Sequence, residues 1–88
     1  MTNTQTNKTE ELIIAMARDL ELDSRDIRVR LLVLQFVELT IEKGMSLEDA
    51  IEELFTCIQK TFWPIYSGII IRRLMFYYKD QIVASEPG

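Results

Sequence analysis

An all-α fold, a compact single-domain bundle of about four helices, is what this sequence predicts, and three observations carry the prediction. Apolar residues recur at three- and four-residue spacings through four stretches of the chain. Only two prolines and three glycines interrupt them, and the boundaries between stretches carry residues suited to capping or breaking a helix. Apolar residues make up 48% of the chain, more than a disordered segment holds. The 88 residues suit one domain, and a domain of that size buries only about 60 to 65% of the surface its unfolded chain exposes.

Residues 1–8, rich in Thr, Asn and Gln, have nothing to bury and are expected to form a disordered tail; residues 85–88, ending in Pro-Gly, are expected to be a flexible one. The helical domain then spans 9–84. Its first helix is expected to start at Thr9, whose hydroxyl can cap it, with Glu10 and Glu11 at the positive end of the helix dipole. Leu12, Ile13, Met16 and Leu20 share one face of it. Asp23 or Ser24 is expected to cap a second helix that runs to about Lys43, with Gly44 taking the left-handed residue that ends it. This helix is expected to be central, because Val29, Leu32, Val33, Leu34, Phe36, Val37, Leu39 and Ile41 fill more than half its circumference. Arg28, Gln35, Glu38 and Glu42 form its polar seam, and the alternation from Ile27 to Leu31 also permits a short strand.

Ser46-Leu47-Glu48-Asp49 resembles a capping box and opens the cleanest amphipathic segment. Leu47, Ala50, Ile51, Leu54, Phe55, Ile58 and Phe62 are expected inside, and Glu48, Asp49, Glu52, Glu53, Gln59 and Lys60 outside. Pro64 disfavours helical geometry at Trp63 and suits the first turn of a new helix, so a break falls between Thr61 and Trp63.

The fourth helix has two apolar faces, and a domain this small can cover only one. Ile70, Ile71, Leu74, Met75, Tyr77, Tyr78 and Ile82 share one arc; Ile65, Ile69, Phe76 and Val83 lie opposite, edged by Arg72, Arg73, Lys79 and Asp80. The run Ile65, Ile69, Arg72, Phe76, Lys79, Val83 steps alternately by four and three residues, the rhythm of a helix packing along another helix. Arginine beside aromatic residues is also the composition of interface hot spots. The expected partner-binding residues are therefore Ile65, Ile69, Arg72, Arg73, Phe76, Lys79 and Val83, unless the first helix of the same chain folds over this stripe.

Catalytic chemistry is not expected. The chain has no histidine, and its lone Cys57 can build neither a thiolate zinc site nor an internal disulfide. Cys57 sits at the edge of the third helix's apolar arc and is expected to pack in the core. Glu48, Asp49, Glu52 and Glu53 lack calcium-loop spacing and read as a solvated face; the glycines match no phosphate-binding loop. No cofactor and no metal are expected.

The formal charge of −4 and pI of about 4.7 oppose non-specific binding to nucleic acid or anionic membrane. The acid is uneven: residues 62–88 hold three basic and two acidic side chains against seven and twelve in residues 1–61. The amino-terminal residues lack the apolar segment of a secretory signal, and the run from Phe62 to Ile71 is too short to span a bilayer, so a cytoplasmic protein is expected.

One stretch points elsewhere. Residues 17–31 resemble a helix-turn-helix, with a polar cap opening the second helix and Glu21 where that family usually has its turn glycine. The resemblance implies a DNA-binding regulator in which Arg25, Arg28 and Arg30 reach phosphates or bases. The leading expectation is instead a small non-enzymatic interaction module, a homodimer, adaptor or inhibitor, that docks through the aromatic and arginine face of its last helix. Membrane-surface binding through Trp63, Tyr66 and the Phe76-Tyr77-Tyr78 cluster ranks third, and catalysis last.

Overall fold

The computed structural model describes the backbone of residues 4–85 and the side chains of residues 8–79. Four α-helices, α1 (Thr4–Asp19), α2 (Ile27–Val37), α3 (Leu47–Thr61) and α4 (Pro64–Ser85), make up the fold, with no strand among those residues. Helix α2 packs against α1 and α3, and α4 closes the arrangement by packing against both. The core between them is apolar, with Ile13, Met16, Leu20, Val29, Leu32, Val33, Phe36, Ile58, Ile70 and Leu74 almost wholly removed from water. Burying a side chain of this size contributes about 1.5 to 3 kcal/mol each before entropy is counted. Across the core the rings of Phe36 and Tyr77 meet edge to face, 6.3 Å between centroids.

Helix α1 starts at Thr4, ahead of the expected Thr9. Thr9 lies inside the helix, where its side chain is buried and its hydroxyl sits 3.3 Å from that of Tyr77. It joins α1 to α4 and is not a cap. Residues 4–8 and 85 of the two expected tails are therefore helical, and the remaining tail residues lie outside the described part of the chain. Leu12, Ile13, Met16 and Leu20 are buried on one face as expected.

The helix ends in a Schellman turn: the Leu22 amide donates to the Ala17 carbonyl at 2.8 Å and the Glu21 amide to that of Arg18 at 3.1 Å. Glu21 takes the left-handed residue of this turn, with φ 58°. The chain then needs a second turn, in which the Asp26 amide donates to the Asp23 carbonyl at 2.9 Å. Asp26, and not Asp23 or Ser24, caps α2, its carboxylate accepting from the Arg28 amide at 2.9 Å. Asp23 is diverted into its own local bond from the Arg25 amide at 2.7 Å.

Residues 27–31 are helical, not extended. The expected end of this helix near Lys43 holds, but residues Glu38–Glu42 widen into a π-helical segment. Buried Thr40 donates its hydroxyl to the Phe36 carbonyl at 2.8 Å there, competing with the regular backbone ladder. Gly44 follows with φ 69°, as the left-handed terminator. Ser46 caps α3 by accepting from the Asp49 amide. Phe62 is extended, Trp63 follows, and Pro64 begins α4 where its missing amide is not needed.

Burial departs from expectation on α2 and α3. Helix α2 is not enclosed: Ile27, Leu31 and Leu34 lie more than half exposed on its outer side. On α3 only Ala50, Leu54 and Ile58 are fully buried, Leu47 and Ile51 are half-buried, and Phe55 is 40% exposed. Cys57 is exposed as well, contrary to core packing, because it falls one residue short of the Ile58 position that faces inward.

Candidate functional site

The inward arc of α4 is built from Ile70, Leu74 and Tyr77. Ile71 and Tyr78 flank it half-buried, and Met75, expected inside, is 41% exposed. The opposite arc stands in solvent at two of its apolar positions, Ile65 being 76% and Phe76 65% exposed. Arg72 and Lys79 are exposed on the same face. Side chains three, four and seven residues apart share a helix face, which brings Ile65, Arg72, Phe76 and Lys79 together.

Ile69 and Arg73, expected in this group, turn toward α1. Ile69 packs half-buried against the core. Arg73 is tied to Asp19 at the end of α1, its Nε donating to Oδ2 at 2.9 Å and its Nη2 to the same oxygen. Helix α1 thus covers one edge of the stripe and leaves the centre open. Ile69, Arg72, Arg73 and Phe76 with Asp19 line a shallow depression on that edge. The Val83 side chain lies outside the described residues.

On the other edge, Gly68, Ile71, Arg72, Met75, Phe76 and Lys79 line a groove that is mostly apolar with two cations on its rim. Met75 also belongs to a second groove, shared with Leu47, Ile51 and Phe55 and bordered by Glu48 and Glu52 of α3. The acidic neighbours of this surface are legible from the amphipathic pattern of α3, but their adjacency to Met75 needs the tertiary fold. Among the described residues no carboxylate holds Arg72 or Lys79.

The three arginines of the helix-turn-helix reading have a different environment. Arg25 is gripped by Asp23, Nε donating to Oδ1 at 3.1 Å and Nη2 to Oδ2 at 3.0 Å. Arg28 repeats the arrangement with Asp26 at 3.0 and 2.8 Å and lies 5.6 Å from the centre of the Phe62 ring. Arg30 reaches across to Glu10 of α1 with two bonds, of 2.7 and 3.2 Å. The hydrogen bonds from Arg25 lower the Asp23 pKa to about 2, and those from Arg28 and Arg30 lower Asp26 and Glu10 in the same way. The sequence signal for the first two pairs is the doubled Asp-x-Arg of Asp23-Ser24-Arg25-Asp26-Ile27-Arg28.

A second apolar strip, Ile27, Leu31 and Leu34 on α2, follows i, i+4, i+7 spacing. It flanks Arg30, and the half-exposed Ile14 lies one turn beyond Glu10 on α1. Arg30 beside this strip is engaged by Glu10, whereas among the described residues no carboxylate engages Arg72 or Lys79 on the α4 face. Among the described residues no helix is long and apolar enough to cross a membrane, and no group of three or more His, Cys, Asp or Glu side chains is placed to hold a metal ion. Comparison with known protein families, with characterised proteins and with solved structures finds no match to this chain.

Proposed function

We propose that this chain is a small, non-enzymatic, cytoplasmic interaction module that docks on protein through the outward face of α4. One observation carries the proposal: Phe76 and Ile65 stand exposed on the same helical face as Arg72 and Lys79, while the opposite face of the same helix is sealed into the core. Leaving large apolar side chains in water forgoes their burial, and aromatic residues next to unpaired arginine form the usual energetic centre of a protein interface. The mechanism is burial of Ile65 and Phe76 against a partner surface, with Arg72 and Lys79 reaching its carboxylates.

The helix-turn-helix reading has Glu21 in its favour, since the turn does take a left-handed residue at the place where that family puts glycine. Its arginines, however, are held by Asp23, Asp26 and Glu10, which neutralise the charge a phosphate would have to meet. The same helix buries Val29, Leu32, Val33 and Phe36 against the core.

Phe76→Asp tests the proposal. The variant is expected to keep the helical circular-dichroism spectrum of the wild type and to lose the protein bound by the wild type, while Leu31→Asp keeps it. Binding that survives Phe76→Asp, or that disappears only with Leu31→Asp, contradicts the assignment.

A further inference from the structure

Resting on the reading of α4 as the docking face, we infer that its occupant is a second copy of this chain, joined through a two-fold axis that runs along the helices. The surface formed by α3 and α4 has three side-by-side strips. Glu48 and Glu52 make an acidic strip on α3, Ile51, Phe55 and Met75 an apolar one, and Arg72 and Lys79, with Phe76 beside them, a basic one on α4. Met75 lines both grooves, so the strips are continuous. Gly68 keeps the α4 side low, with open space where a side chain would stand.

A strip order of acid, apolar and base is self-complementary under one kind of rotation. Face-to-face copies related by a two-fold axis lying in the interface exchange left and right across that axis while keeping position along it. With the axis parallel to the helices, the basic strip of each copy lies over the acidic strip of the other, and the apolar strips meet in the centre. An axis across the helices would instead set acid on acid. The short break between Thr61 and Pro64 turns α4 back along α3, and Met75 in mid-α4 meets Leu47 and Ile51 near the start of α3. The antiparallel order puts Lys79 toward the start of α3, the end that holds Glu48, and Arg72 farther along it, toward Glu52 and Phe55. The dimer therefore pairs Arg72 with Glu52 of the other copy and Lys79 with its Glu48, on both sides of a four-helix contact that buries Ile51, Phe55 and Met75 at its centre and Phe76 beside Arg72 at its margin.

Charge exchange tests this with exposed residues whose substitution leaves the core untouched. In sedimentation equilibrium over a concentration series, the wild type is expected to reach twice the monomer mass. Arg72→Glu alone and Glu52→Arg alone each set like charges against each other twice, and are expected to weaken association by about tenfold or more. An equimolar mixture of the two variants restores every opposite-charge contact and is expected to associate like the wild type. Two swapped proteins that fail to rescue each other overturn the inference. So does dimerisation lost with Leu31→Asp and kept in both swaps, which would place the interface on α2. A wild type that stays monomeric while Phe76→Asp still abolishes binding to another protein overturns the second copy as occupant and leaves the docking face standing. Insensitivity of every association to Phe76→Asp contradicts the docking face itself.

Discussion

Glu21 holds a left-handed backbone, φ 58°, at the end of α1. A Cβ in that conformation costs about 1 to 2 kcal/mol, and glycine returns part of the relief as extra unfolded-state entropy. Glu21→Gly is therefore expected to stabilise the protein by about 0.5 to 1 kcal/mol, read as a raised urea midpoint. The position was legible as the missing turn glycine; its conformation required the Schellman bonds of Glu21 and Leu22. The arginines near it make a second prediction. Asp23, Asp26 and Glu10 have folded-state pKa values below their ordinary ones, because Arg25, Arg28 and Arg30 hydrogen-bond their ionised forms. Since the unfolded chain takes up these protons first, the stability they contribute is present above the ordinary carboxylate range and is lost as pH falls, for Asp23 between 3.8 and about 2. The pairs are solvent-exposed, so the effect is small and screened by salt. Asp23→Asn is expected to flatten that part of an acid denaturation series at low ionic strength.

At the scale of elements, the sequence disclosed which helices exist and not which side of each would be covered. Gly44, Ser46 and Pro64 marked boundaries because each acts through its own backbone or an adjacent amide. The α2 cap falls to Asp26 because Asp23, Ser24 and Asp26 all lie within four residues and Asp23 is taken by Arg25. Asp26→Ala is expected to cost about 1 kcal/mol in urea denaturation, the usual loss for a side-chain cap. Helix α4 offers the sharpest contrast between faces. Leu74, wholly buried, is expected to cost about 2 to 5 kcal/mol as Leu74→Ala. Phe76→Ala, two residues on and largely exposed, is expected to change stability by no more than about 0.5 kcal/mol. Periodicity placed these two residues on opposite sides correctly. It misplaced Met75 and Ile69, which border the stripes, because their burial depends on where α3 and α1 lie.

For the whole molecule, four helices packed each against its neighbours enclose a core too small to use every apolar face the sequence supplies. The exposed α4 face was legible because two stripes on one helix cannot both be internal. The strip on α2 was not, since a helix apolar around most of its girth reads as central until its outer side is seen bare of neighbours. The acidic edge of α3 and the basic edge of α4 were each visible in the sequence, and only the hairpin sets them on one surface around Met75. A photo-crosslinking amino acid placed at position 76, compared with one at position 34 on the α2 strip, reports which face meets another protein chain in native extract. A covalent protein adduct from position 76 and none from position 34 is expected; an adduct from position 34 alone, or from neither, would contradict docking through α4.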